Sequence, residues 1–209
     1  FIEPKVVPPD AQTVGTRWVF TDKNRPRRLA GETVEVQAKA RLVVQGHQER
    51  YEVRSDSPTA SLLGFMLVCT LAALFRWTLQ AWDATAAYLQ SDGIQRLLIL
   101  RPPRPLPPGY PEGMLLRAKG TIYGTRDAGR GWWLKLRRIV LENGWIESKL
   151  ELAMFLFFEI IDTTKRVCRG IMIAHVDDLL VCGTGAKYRA SMDAISKIVD
   201  LNVKETDFV

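Results

Sequence analysis

Two aspartates stand side by side in GIMIAHVDDLLVCG, residues 170–183. Asp177 and Asp178 interrupt a run that is otherwise apolar and rich in β-branched residues. Buried charge is costly unless it is paired, hydrogen-bonded or holding a metal. IMIAHV and LLVCG flank the acids so closely that a hairpin with both acids at its turn is the natural geometry. Asp is a good turn residue, so the pair can serve the turn alone. A turn does not need two like charges, however, and their repulsion becomes useful where a hard divalent cation takes oxygen ligands. TLQAWDATAAYLQ (78–90) adds a lone acid, Asp83, at the end of an apolar strand. Alone, Asp83 reads as a cap for the short helix that follows. Two strand-end carboxylate positions side by side in one sheet can hold two Mg²⁺ about 3.5–4 Å apart. Such a pair activates a 3′-hydroxyl and stabilises a leaving pyrophosphate, with positioning and charge doing most of the work. Taken together, the three acids favour metal binding.

The elements that must position them follow from pattern. TRWVF (16–20) and VEVQAKARLVVQG (34–46) read as strands of a long hairpin with a basic, turn-rich tip. Ser57-Pro58-Thr59 is expected to cap and open a helix running to about Trp77. Strands are expected at 78–84, 96–100 and 114–118. Residues 101–113, RPPRPLPPGYPEG, form a stiff proline-rich loop. From about Ala128 the spacing turns helical, with Trp132, Leu136, Ile139 and Val140 on one face and Gly144 as C-cap. Strands at 153–161, 168–176 and 179–183 precede a helix from about Ala186 to Val199. Runs of strands joined by short turns predict an α+β fold, an antiparallel sheet with helices packed on one face.

Composition narrows the classes. The 209 residues suit one domain or two closely packed subdomains. A 47% hydrophobic and 25% charged chain can bury a real core. The net charge of +6 fits a polyanionic partner and also plain solubility. Cys69, Cys168 and Cys182 are too few and too scattered for a disulfide framework or zinc site, and His47 and His175 lie far apart. A reducing compartment is the default. The apolar run Leu62–Phe75 falls short of the roughly 20 residues a membrane span needs, so it is expected to be a buried core helix. GTGAKY (183–188) lacks phosphate-loop spacing. The start at Phe-Ile-Glu reads as a piece cut from a longer polypeptide.

Six stretches in order resemble the reverse transcriptase domain of copia-type LTR retrotransposons, from about Trp18 to Val199. KARLVVQG (39–46) resembles the family's fingers strand, and SPTAS (57–61) its helix entry. LQAWDATAAYLQSD (79–92) is similar to QxDVKTAFLNGD, and ILRPP (99–103) to the strand and double proline that follow. IYGTRDAGRGWW (122–133) resembles LYGLKQAPRAWY, and HVDDLL (175–180) the YVDD-type box.

The resemblance implies a right-hand polymerase fold without its thumb. Residues 1–209 would be one domain fragment, with fingers at about 14–78 and 101–120 and palm at about 79–100 and 121–203. It implies an RNA-directed DNA polymerase working with two Mg²⁺ or Mn²⁺ ions. Asp83 and Asp177 would be the main ligands, with Asp178 less directly bound and the Ala84 carbonyl facing a metal. Tyr88 would sit under the incoming sugar and collide with a 2′-hydroxyl, or it is a core aromatic of a short helix. Lys39, Arg41 or both would contact the triphosphate. Tyr123, Gly124 and Arg126 would contact the nucleotide and the templating base. Arg130, Lys135, Arg137 and Arg138 would track phosphates or form a charged helix face.

Implied partners are dNTPs, an RNA or DNA template with primer, and the thumb and RNase H domains of the parent polyprotein, with no membrane. The parent element's setting would be a cytoplasmic virus-like particle, then the nucleus. The sequence departs from the family at His175 for Tyr, Asp127 for Gln and Gly129 for Pro, and Ala84-Thr85-Ala86 replaces Val-Lys-Thr. Retroelement copies decay, so a catalytically dead nucleic-acid-binding remnant is the alternative. A purely structural module, with Asp177-Asp178 as a turn, is the third reading.

Overall fold

The computed structural model describes residues 1–163 and 165–204. The chain forms two compact units, residues 1–55 with 92–128 and residues 56–91 with 129–209. Helix Leu62–Phe75 belongs to the second unit and residues 92–100 to the first, so these boundaries differ from the finger and palm spans that the resemblance implies.

The first unit is a four-stranded sheet in the order β2-β1-β4-β5. Strands β1 (Thr13–Asp22) and β2 (Ala38–Val44) form the expected hairpin. Its basic tip carries a short helix, α1 (Arg25–Leu29). Strand β4 (Ile99–Arg101) runs parallel to β1, and β5 (Leu116–Arg117) closes the other edge. Val14, Val44, Leu98, Leu100 and Ala118 form its core.

The second unit is built on a six-stranded, wholly antiparallel sheet, the expected arrangement. Its strands are β3 (Leu79–Ala84), β6 (Trp145–Glu147), β7 (Met154–Ile160), β8 (Arg166–His175), β9 (Asp178–Gly183) and β10 (Leu201–Lys204). Their order is β10-β3-β9-β8-β7-β6. β6 and β10 are absent from the sequence-based expectation, because three or four residues carry too little alternation to read.

Helices do not pack on one face only, as the sequence reading expected. On one face, α3 (Ala128–Glu142) and α4 (Ala186–Ile198) bury Trp132, Leu136, Ile139, Met192 and Ile195 against Trp82, Phe155, Met172, Leu179 and Val181. On the other, α2 (Leu62–Phe75) buries Val68 and Ala72 against Met154, Ile171, Ile173, Leu180 and Cys182. The cause lies in β7, β8 and β9, which are apolar at consecutive positions. Both faces of such strands must be covered to leave water.

Two expectations about α2 are corrected. It is not a fully buried core helix: only Gly64, Val68 and Ala72 are buried, while Leu62 and Leu63 are 73% and 78% exposed. Nor does Ser57 cap it. The Ser61 hydroxyl accepts from the Gly64 N–H at 3.0 Å, and the Ser57 hydroxyl instead donates to the Gly129 carbonyl at 3.2 Å. The α3 expectations hold: the four named residues are buried, and Gly144 closes the helix at φ 87°.

The capping assignment is testable. Ser61→Ala should cost about 1 kcal/mol in chemical denaturation, the usual loss for an N-cap. Ser57→Ala should cost less than half of that.

Candidate active site

The acids meet at one end of the second unit's sheet. In the register of β3 and β9, Asp83 lies directly opposite Asp178. Asp178 is also the partner of His175 on β8, and Asp83 of Asn202 on β10. Paired residues of an antiparallel ladder point to the same face, with Cα atoms about 4.5–5.5 Å apart. His175, Asp178, Asp83 and Asn202 therefore form one polar row across four strands. Asp83 is half-buried and the other three are exposed.

The hairpin differs in detail from the expected one. Val176 and Asp177 are its two-residue turn, and Asp178 already belongs to β9. The polar row explains this, because Asp178 closes the hairpin against His175 and continues the ladder to Asp83. Val176 has φ 59°, a left-handed conformation that a β-branched residue adopts only under constraint. Two hydrogen bonds supply the constraint. The Trp132 indole N–H donates to the Val176 carbonyl at 2.7 Å, and the Ala84 N–H donates to the Asp177 carbonyl at 2.9 Å. Buried Trp132 thus fixes the turn from α3, and β3 fixes it from the side. Sequence reasoning placed Trp132 in the core only. Its donor role had no local signal.

The segment after Asp83 is fixed as well. Ala84 is buried, and Tyr88 sits half-buried in a 3₁₀ turn, Ala87–Gln90, packed against the core. The Gln90 amide donates to the Thr85 carbonyl at 2.7 Å, the Asn202 amide to the Thr85 hydroxyl at 2.6 Å, and Lys135 to the Gln90 carbonyl. Lys135 is therefore engaged with protein backbone. Arg130 pairs with Asp56 at 2.8 Å, Arg137 with Glu147 at 2.6 Å and Arg138 with Glu142 at 3.4 Å.

The remaining candidates lie in the first unit. Lys39 and Arg41 share one face of β2, and the Arg41 guanidinium lies 5.9 Å from the centre of the Tyr123 ring. The Val44 N–H donates to the Tyr123 carbonyl at 2.7 Å, and the Gly46 N–H to the Gly124 carbonyl at 3.2 Å. The approach is close: a Cβ on Gly46 would lie 2.1 Å from the Gly124 oxygen, and one on Gly124 would lie 2.1 Å from the Val44 oxygen. Gly124 also has φ 87°. Arg126 donates to the carbonyls of Glu49 and Tyr51 at 3.4 and 3.3 Å.

A charge cluster centred on the buried Glu49 holds the same loop. Arg96 donates to both oxygens of Asp127, at 2.5 and 2.9 Å, and to the side chain of Glu49, which is fully buried. Burial opposes the Arg96 charge, but the hydrogen bonds to Asp127 and Glu49 outweigh it, so its pKa is raised. The second Glu49 oxygen has no hydrogen-bond partner among the described residues. Asp127, the departure from the family's Gln, is thereby explained: it is an anchor for Arg96. Such long-range charge pairing leaves no trace in local sequence.

The three cysteines, scattered in sequence, converge in the α2-side layer, where all remain free thiols. Burial pushes the Cys182 thiol up to about 12. Among the described residues no group of three or more His, Cys, Asp or Glu side chains closes into a ready metal cage. The open acid row still fits a hard cation. Mg²⁺ keeps several waters and is commonly held by one or two carboxylates plus substrate phosphates. Among the described residues no helix is long and apolar enough to cross a membrane.

Comparison with known proteins defines the class. The family described as reverse transcriptase (RNA-dependent DNA polymerase) matches residues 5–203, and the chain belongs to that family. Its relatives are polyproteins of copia-type retrotransposons, as the six stretches implied. It is 27% identical over 195 residues to the retrovirus-related Pol polyprotein from transposon RE2 of Arabidopsis thaliana, covering 91% of this chain and 12% of the relative. It is 22% identical over 183 residues to that of transposon TNT 1-94 of Nicotiana tabacum, 85% of this chain and 13% of the relative. The Ty1-DR4 Gag-Pol polyprotein of Saccharomyces cerevisiae is 25% identical over 167 residues, 69% of this chain and 10% of the relative. The chain thus spans about an eighth of the length of the two plant polyproteins and a tenth of the yeast one.

Removing Arg96 should leave the buried Glu49 carboxylate and the half-buried Asp127 carboxylate uncompensated. Arg96→Gln is expected to cost about 3 kcal/mol or more in urea denaturation. Arg27→Gln, at an exposed pair with Glu32, should cost less than about 1 kcal/mol.

Proposed function

We propose that this chain is the nucleotidyl-transfer portion of an RNA-directed DNA polymerase that extends a primer on an RNA or DNA template with dNTPs. The observation that carries the reading is the opposition of Asp83 and Asp178 across the β3–β9 ladder, with Asp177 at the adjoining turn. Like charges directly opposite each other destabilise a sheet. A pair of divalent cations removes that cost, and when bound it would lower the pKa of the attacking 3′-hydroxyl, whose proton passes to solvent, and stabilise the negative charge of the leaving pyrophosphate. Asp83, Asp177 and Asp178 would hold the ions, and the Ala84 carbonyl adds a neutral oxygen ligand.

The other residues act by position. Tyr88, its ring backed by the core, would stand under the sugar and exclude a 2′-hydroxyl by bulk. Lys39 and Arg41 carry charge suited to a triphosphate. Arg41 is braced on the Tyr123 ring, whereas Lys39 makes no ion pair among the described residues. Gly124 allows close backbone approach at the loop that also carries Tyr123 and Arg126.

Primer extension on an RNA template with Mg²⁺ and dNTPs tests the reading. Wild type should extend the primer, and Asp177→Asn should lose extension by at least about a thousandfold, roughly 4 kcal/mol. Primer–template binding by wild type without extension would overturn it in favour of a catalytically dead, nucleic-acid-binding remnant. Tyr88→Ala should retain extension while its preference for dNTPs over rNTPs falls at least about tenfold, near 1.4 kcal/mol.

A further inference from the structure

The ring of Tyr88 is carried on a turn that has little to hold it from within. Ala87–Gln90 is a single 3₁₀ turn, in which the Leu89 N–H donates to the Ala86 carbonyl at 2.8 Å. Such turns have poor hydrogen-bond geometry and persist as short pieces. Ala86, at the start, has φ 49°, a left-handed conformation that opposes the turn in any residue with a Cβ. Bonds from outside the turn must outweigh that cost.

Those bonds converge on one junction. The Thr85 N–H donates to the Asp200 carbonyl at 2.9 Å, which ties the entry of the turn to the link between α4 and β10. The Gln90 side chain ties the exit to the same link. Its oxygen accepts from the Asp200 N–H at 3.2 Å, and its nitrogen donates to the Thr85 carbonyl at 2.7 Å and reaches the Asp200 carbonyl at 3.5 Å. The partners fix the amide's orientation, since an N–H must meet the oxygen and a carbonyl the nitrogen. Lys135 of α3 holds the Gln90 carbonyl as well. Gln90 is half-buried, so its bonds are partly shielded from water. One neutral amide thus clamps both ends of the turn to one stretch of backbone. Glutamate has the length but no donor, and leucine has neither donor nor acceptor.

Exclusion by bulk requires a ring that does not yield. Tyr88 is half-buried and packed against the core, so its route of retreat is movement of the turn's own backbone. Small displacements of a positioning group are costly to discrimination. We infer that Gln90 is a positioning residue for sugar selection: its amide fixes the depth of the Tyr88 ring, and through it the preference for deoxynucleotides. The inference rests on the reading of Tyr88 given above and adds the residue that makes that ring an effective barrier.

Single-nucleotide primer extension, read as kcat/KM for a dNTP and for the matching rNTP, tests it. Gln90→Leu should lower the dNTP-to-rNTP ratio at least about threefold, by a gain in relative rNTP use. Gln90→Glu keeps the acceptor for Asp200, loses the donor for Thr85, and should shift the ratio in the same direction. Ser61→Ala, which weakens the fold at α2, should leave the ratio at the wild-type value, because general loosening affects both nucleotides alike. Tyr88→Ala/Gln90→Leu should match Tyr88→Ala, since Gln90 acts through the ring. Amide hydrogen exchange at residues 86–89 should quicken in Gln90→Leu while the strands stay protected. An unchanged ratio in both Gln90 variants, an equal shift in Ser61→Ala, additive losses in the double variant, or unchanged exchange at 86–89 would overturn the inference and leave the reading of Tyr88 standing. An unchanged ratio in Tyr88→Ala, or no extension by wild type, would overturn that reading and this inference with it.

Discussion

The placement of Asp83 opposite Asp178 is the constraint on which the second unit turns. Two carboxylates in register oppose folding, and the surrounding sheet must outweigh them. It does so with strands that are apolar on both faces and covered on both, by α3 and α4 on one side and α2 on the other. The acids stand at the rim, where the ladder ends and water or a cation can reach them. The turn beside them is held from two directions, by the Trp132 indole and by the Ala84 N–H. Strain at Val176 persists because those two bonds leave the carbonyls of Val176 and Asp177 no alternative orientation.

The first unit solves a different problem, bringing a loop against a hairpin without side chains between them. Gly46 and Gly124 let two backbones approach to within a hydrogen bond, and the Arg96, Glu49 and Asp127 cluster locks the loop that follows.

Much of the candidate site was legible in the sequence because its residues break strong local patterns. Asp83 and Asp177-Asp178 interrupt apolar strands, and α3 announces itself by the spacing of Trp132, Leu136, Ile139 and Val140. Where the pattern is uniform, the reading fails. Every position of α2 is apolar or small, so periodicity could not say that Gly64, Val68 and Ala72 face the sheet while Leu62 and Leu63 face water. Ser57 and Ser61 are both plausible caps four residues apart, and only the Gly64 N–H decides between them. β10, which places Asn202 beside Asp83, is too short to show alternation. The pairing of Arg96 with Asp127 and the meeting of three cysteines under α2 are tertiary facts, made by residues far apart in the chain.

The central claim is that the opposed acids exist to hold divalent cations, and a Mn²⁺ titration followed by amide NMR tests it most directly. Paramagnetic broadening should appear first at residues 83–85 and 175–179, and Asp83→Asn together with Asp178→Asn should abolish it there while leaving the rest of the spectrum folded. Broadening spread evenly over the surface, or unchanged in the double variant, would contradict the account and leave the two acids as no more than polar ends of β3 and β9.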